Sequence, residues 1–487
     1  MSHRFHIAAL AALAFAAALA NTSISQAKIW LPQILGDHSV LQRDSEAKLW
    51  GKAAPSSKVE IRVSWSREKI SVTSDSDGNW ITSVRTPAGG YTPYTITFRD
   101  KDGSVTISDI LAGDVWLCGG QSNMEMPVSG FGSCPVEGSF EDIINSGEMR
   151  NRVREVKIPK TGAESPQDTV EGRWRVSGPG TTGEMTAAGW YFGSMLNAAL
   201  DVPIGLLACN WGGSAVESWI PGETVRSYPE NTIPGEKYSP GKLPEGWYHS
   251  TTPIVMYNGM IYPVHNYTLK GFIWYQGETN VGRHRYYAGR LADMVRIWRE
   301  LWGQGDLPFY EVELAPYFYG NPDDINGALL RESQHKAVEI IPNSGCVCIN
   351  DLVYPYEYDQ IHPCMKRQVG ERLAAMALNK TYGMDKVPFS GPVYRDMKVN
   401  GNEVTVTFDF TGRGLSPWHD LEGFELAGED RVFHPAKAER SGEHSVVVRS
   451  DEVPAPVAVR YCFRNFRIGN LTGELGLPAV PFRSDNW

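Results

Sequence analysis

The chain has 487 residues, of which 42% are hydrophobic and 21% charged, and its formal net charge is −10. That apolar content is globular and the length exceeds what one hydrophobic core usually supports, so two or three domains are expected, while the acidic balance argues against nucleic acid or an anionic membrane as partner. Seven cysteines, odd in number and without regular spacing, exclude a disulfide framework, and the absence of CxxC or HxxxH pairs gives no sign of a metal site.

In chain order, the first feature is a basic start followed by an alanine-rich apolar run over residues 7–20 and then small residues. It reads as a secretory signal, too short for the roughly 20 residues that cross a bilayer. Cleavage after Ala20 or Ala27 suits the small-residue rule, and Ala27 is favoured because strand-like sequence begins at Lys28. The location expected is therefore secreted or periplasmic. Residues 28–110 alternate with period two, as in "KVEIRVSW" and "YTITF", with turn signals between the runs, and predict an antiparallel sandwich-like β-domain. From 111 to 385 apolar strand-length runs ("DVWLCGG", "VPIGLLACNW", "GFIWYQGE", "PFYEVELAP", "GCVCIND") alternate with helical segments such as "MTAAGWYFGSMLNAAL" and "YYAGRLADMVRIWRELW". This rhythm predicts an α/β domain with a parallel sheet between helices, and a site at the carboxyl ends of its strands. Residues 386–487 return to period two and predict a second β-domain. One Pro-, Gly- and Glu-rich stretch, 220–253, is too long for an ordinary connection and reads as a substrate wall or a surface insertion.

Ser122 falls just past the first buried strand of the α/β region, after Gly119 and Gly120. It is not the elbow of α/β-hydrolases, because Met124 stands where G-x-S-x-G requires glycine. A hydroxyl needs a base to act as nucleophile. Of the eleven histidines, His362 alone sits in a loop between an apolar strand and a helix, with Asp359 three residues earlier, a spacing at which the carboxylate can orient the imidazole. Acyl transfer also needs donors for an oxyanion. Gly212 and Gly213 end one strand with uncovered amides, and Gln276, followed by Gly277, ends another with a side-chain amide. Glu278, Trp219, Trp274 and Tyr275 are candidate sugar contacts, although tryptophans at strand and helix ends are more often core, Asn258 is a candidate pocket residue, and Glu125 a supporting or capping group.

The motifs "GQSNMEM", "WGGSAVESW", "YNGMIYPV", "WYQGETN" and "DQIHP" together resemble the sialate O-acetylesterase-type branch of the SGNH (GDSL-like) hydrolases, over nearly the whole chain after the leader. The resemblance implies a flavodoxin-like three-layer α/β/α domain flanked by β-domains. It implies Ser122 as nucleophile, His362 as general base and Asp359 as its partner, with an oxyanion hole from Ser122, Gly212 or Gly213, and Gln276. Gln276 departs from the asparagine usual in the wider superfamily. The expected activity is a serine acyl-enzyme hydrolysis, without metal or organic cofactor, that removes O-acetyl groups from sialic acids of sialoglycans. Another acetylated glycan such as xylan is the rival substrate, and a non-catalytic glycan-binding surface protein the rival class.

Overall fold

The structure, a computed structural model, describes residues 29–229, 249–320 and 325–487. The expected leader, 1–27, and residues 230–248 of the insertion lie outside the described residues. The chain falls into two compact units, one gathering residues up to 31 with 50–82 and 96–106, the other 32–49, 83–95 and 107–487.

In the first unit, β1 (Lys58–Val63) buries Val59, Ile61 and Val63 and exposes Lys58, Glu60 and Arg62, the alternation its sequence predicts. It pairs antiparallel with β2 (Ile70–Thr73) and, from Glu60 opposite Arg99 to Val63 opposite Ile96, with β3 (Gly90–Arg99).

The second unit is built on β4 (Ser104–Gly120), which runs into a one-turn helix, α1 (Ser122–Glu125). There follow β5 (Val153–Lys157), β6 (Trp174–Val176), α2 (Ala187–Leu200), β7 (Ile204–Asn210), β8 (Gly271–Tyr275), α3 (His284–Trp302), β9 (Phe309–Val312), α4 (Asn326–Ile340), β10 (Ser344–Val347) and α5 (Lys366–Lys380). The strands lie in the order β10-β9-β8-β4-β7-β5-β6, and every neighbouring pair is parallel except the edge pair β5 and β6. Every residue of β7, β8 and β9 is buried, as expected of strands covered on both faces. Period two sorts those faces. Trp116, Cys118, Ile273 and Tyr275 share a core with Phe192 of α2 and Leu373 of α5. Phe272 and Trp274 point the other way and meet Trp298 and Trp302 of α3. The α/β class predicted from the sequence is thus observed, in three layers.

Chain order reverses at β4, which has β7 on one side and β8 on the other. Ligands of open parallel sheets collect in the crevice at such a switch point, outside the carboxyl ends of the strands. Here those ends are Gly120, Asn210 and Tyr275.

The C-terminal strands β11 (Val393–Asn400), β12 (Glu403–Asp409), β13 (Phe424–Ala427), β14 (Phe433–Pro435), β15 (Lys437–Arg440), β16 (Ser445–Arg449), β17 (Ala458–Tyr461) and β18 (Phe482–Arg483) form two antiparallel sheets, β11-β12-β16-β15 and β14-β13-β17-β18. They close on a common core that includes Val406, Phe408, Val448, Leu426, Val459 and Phe482.

Candidate active site

The switch point is tied together by the backbone. Gly120 adopts φ +140°, and a β-carbon there would lie 2.2 Å from the Tyr275 carbonyl oxygen, so only glycine lets β4 end against β8. The Gln121 N–H donates to the Tyr275 carbonyl and the Trp211 N–H to the Gly120 carbonyl, each at 3.0 Å. The next residue is Ser122. It opens α1, where first-turn amides have no acceptor within the helix, and among the described residues its N–H has no partner.

Gly212 packs directly on the nucleophile candidate: a β-carbon on it would lie 3.4 Å from Ser122 Cβ and 3.2 Å from the Glu125 carboxylate. Its N–H is already taken, donating to Glu125 Oε2 at 2.6 Å, while Glu125 Oε1 pairs with Lys160 at 2.6 Å. Gly213 is exposed, has φ +74°, and carries an N–H without a partner among the described residues. Gln276 departs from the donor expected of it. Fully buried, it spends its amide hydrogens on the Ser214 carbonyl at 2.9 Å and Asn280 Oδ1 at 2.8 Å, and its Oε1 accepts from the Tyr287 hydroxyl at 2.8 Å. With both hydrogens used, it holds the Gly212 turn in place and has no donor left for an oxyanion.

His362 lies on the loop before α5, its ring 5.0 Å from that of Phe131 and its Nε2 buried without a hydrogen-bond partner among the described residues. Ser122 Oγ and Nε2 do not hydrogen-bond to each other in this state, a looseness common before substrate binds. Asp359 is exposed and forms no hydrogen bond with His362. What joins the base loop to the nucleophile turn is the residue after Ser122. Asn123, fully buried, donates to the Ile361 carbonyl at 3.0 Å and to Glu278 Oε1 at 2.5 Å, and accepts from Lys366 Nζ at 2.8 Å. Lys366 Nζ also donates to the Pro363 carbonyl at 2.8 Å. Both carbonyls flanking His362 are therefore held by side chains anchored beside Ser122.

The electrostatics follow from burial. Desolvation, reinforced by the Lys366 ammonium and opposed by Glu125, pushes the His362 imidazole down to about 4. Desolvation also lowers Lys366, to about 8, and raises Glu278 above the usual carboxylate range. His362 is thus a neutral base over most of the accessible pH range. Glu278, a sugar-contact candidate by sequence, lies beneath the site in this network. Trp219 and Trp274 are core, meeting edge to face at 5.7 Å, Tyr275 is buried under the Lys366 cation, and Asn258 Nδ2 donates to the Ala163 carbonyl at 3.1 Å. Sequence reasoning missed Lys366, although it falls on the buried stripe of α5 with Val369, Gly370 and Leu373, which is a readable signal. Among the described residues no group of three or more His, Cys, Asp or Glu side chains could hold a metal ion.

Residues 112–379 match the carbohydrate esterase family described as sialic acid-specific acetylesterase. The chain belongs to this family. It is therefore a carboxylic ester hydrolase of the carbohydrate esterase kind, and the switch-point crevice is its candidate active site. Sialic acid-specific acetylesterase relatives include the sialate O-acetylesterases of Pongo abelii, 29% identical over 92% of this chain and 91% of that one, and of Homo sapiens, 28% identical over 92% and 91%. A solved carbohydrate acetylesterase from Xanthomonas citri is 34% identical and covers 94% of this chain and 100% of its own, with a TM-score of 0.83. Among the described residues of this esterase no helix is long and apolar enough to cross a membrane.

Proposed function

We propose that the protein is a secreted or periplasmic O-acetylesterase that removes acetyl groups from sialic acids by a serine acyl-enzyme route, with Ser122 as nucleophile, His362 as general base and Asp359 as the acid that supports it. The observation that carries this reading is the junction of Ser122 and the His362 loop through Asn123, at the switch point of a parallel sheet. In the forward step Ser122 Oγ attacks the acetyl carbonyl while His362 takes its proton. The tetrahedral oxyanion is received by the Ser122 amide and by the Gly212 and Gly213 turn, where Gly213 offers an unspent N–H and Gly212 would first have to leave Glu125. His362 then returns the proton to the departing sugar oxygen, and a water activated by the same imidazole releases acetate from the acyl-enzyme. Asp359 takes up its supporting role when substrate draws the loop together, since it is not bonded to His362 beforehand.

The sialic acid substrate is supported by the named activity of the mammalian relatives. A second reading, another acetylated glycan such as xylan, is favoured by the Xanthomonas citri structure, whose description says carbohydrate acetylesterase without naming a sialic acid.

The deciding experiment compares wild type with Ser122→Ala on O-acetylated sialic acid and on acetylated xylan, reading released acetate. Wild type is expected to prefer the sialic acid, and the variant to lose at least ~10³-fold in kcat, as when a serine nucleophile is removed elsewhere, with its Tm unchanged. Equal acetate from the two proteins contradicts the mechanism, and a preference for xylan replaces the substrate.

A further inference from the structure

His362 itself lines a half-open cavity of about 480 Å³ between residues 133–137 and 354–364. That is within the roughly 300–1,000 Å³ of pockets that take small ligands. Its walls are pinned. The Glu137 N–H donates to the Cys364 carbonyl at 3.0 Å, and the buried Glu357 carboxylate accepts from the amides of Tyr354 and Cys364 at 2.9 Å each. On one wall the rings of Tyr354 and Tyr356 stack, 5.2 Å apart and 10° from parallel, and the outer ring, Tyr356, is 72% exposed. An aromatic ring held against a rigid neighbour, with its other face in water, is a platform for a flat apolar surface.

The charged side chains that line this platform have one sign. Glu137 and Asp359 are exposed carboxylates on the cavity lining, and no lysine or arginine lines it among the described residues. Of the cations near by, Lys366 is fully buried and committed to Asn123 and Pro363, and Arg367, whose Nη2 would lie 3.5 Å from a β-carbon on Gly138, is paired with Asp142 at 2.6 Å. A carboxylate-bearing sugar would meet like charge here with no cation to pair, whereas hydroxyl groups would find acceptors.

We propose that this cavity is a subsite for a neutral sugar joined to the acetylated residue, with the C–H face of its pyranose ring on Tyr356 and its hydroxyls donating to Glu137. The proposal rests on the esterase reading above, since the acetylated sugar must lie at Ser122 for its neighbour to reach Tyr356.

The test compares three substrates, p-nitrophenyl acetate, free O-acetylated sialic acid, and the same sialic acid linked to lactose, on wild type, Tyr356→Ala and Tyr356→Phe. Wild type is expected to show a lower KM for the linked sugar than for the free one. Tyr356→Ala should raise KM for the linked sugar about tenfold with kcat retained and leave the other two substrates unchanged, and Tyr356→Phe, which keeps the ring, should restore the wild-type KM. In parallel, lactose alone is titrated into Ser122→Ala by NMR, and its binding should vanish in the Ser122→Ala, Tyr356→Ala double variant. A linked substrate without a KM advantage, a Tyr356→Ala effect shared equally by p-nitrophenyl acetate, or lactose binding indifferent to Tyr356 overturns the subsite while leaving the esterase intact. Wild type inert on all three esters, with lactose still bound through Tyr356, overturns the esterase reading instead and leaves a neutral-sugar site.

Discussion

His362 and Lys366 sit four positions apart, and the Lys366 ammonium adds to burial in holding the His362 imidazole down. A general base works in its neutral form, so an imidazole held at about 4 is competent from there upward. kcat/KM is expected to rise as pH climbs through about 4 and to stay level toward neutrality, in place of a limb near the ordinary histidine value of ~6.5. Lys366→Met, which removes the neighbouring cation, should move that limb to higher pH. Acetate release from p-nitrophenyl acetate between pH 3.5 and 8 reads both, and a limb at the ordinary histidine value in wild type, or one unmoved by the substitution, contradicts the assignment. At this scale the sequence was partly legible. Ser122 and His362 could be picked out because a hydroxyl at a Gly-rich strand end and a histidine in a strand-to-helix loop are local patterns. The commitments of Gln276 and of the Gly212 amide were not, because hydrogen bonds to Asn280, Ser214 and Glu125 depend on where separate turns meet.

Among the elements, long periodic segments were the most readable: the "YYAGRLADMVRIWRELW" pattern became α3 and "MTAAGWYFGSMLNAAL" became α2. β5 was not anticipated, since "VREVK" interrupts its valines with charge. In the fold its Arg154 bonds to Asp109 at 3.0 Å and Glu155 accepts the Thr186 N–H at 2.8 Å, so the charged positions are buried with partners and no polar face shows in the pattern. A related device supports the site. The short turn Val216–Trp219, just after Gly213, carries Glu217, which is buried and ion-paired with Arg290 of α3 and accepts from Asn280 at 3.1 Å. Asn280 in turn accepts from Gln276 and from the Val216 N–H. Arg290→Met leaves that carboxylate buried with weaker support and should cost ~3–5 kcal/mol, the penalty for breaking a buried pair. Urea unfolding measures it, and a loss below ~1 kcal/mol would show that the pair behaves like a surface one.

For the molecule as a whole, all seven cysteines are free thiols, and five of them, Cys118, Cys134, Cys209, Cys348 and Cys462, are buried. Burial raises the thiol pKa of Cys118, Cys209, Cys348 and Cys462, and these side chains pack as small apolar groups. An excess of dithiothreitol is accordingly expected to leave Tm within ~1 °C and activity unchanged, and a drop of ~2–5 °C, which is what losing the ~2–5 kcal/mol of a disulfide amounts to in a chain of this size, would reveal a bridge. Composition had already pointed this way, because an odd, irregular set of cysteines cannot make a framework. The compact units could not be read from composition in the same manner. Their boundaries cut through residues 28–110 more than once and join the C-terminal strands with the parallel sheet, and such groupings depend on long-range pairing that no window of sequence displays.

The bond from Lys366 to Asn123 closes a loop of 243 positions. With Ser122 and His362 in the roles proposed, a growing chain that has completed everything from β4 through β9 carries a hydroxyl without a base, and it stays inert until α5 docks and the clamp snaps shut. Hydrolytic competence then arises only once the chain has been made as far as α5, which spares a half-made copy from cleaving esters indiscriminately.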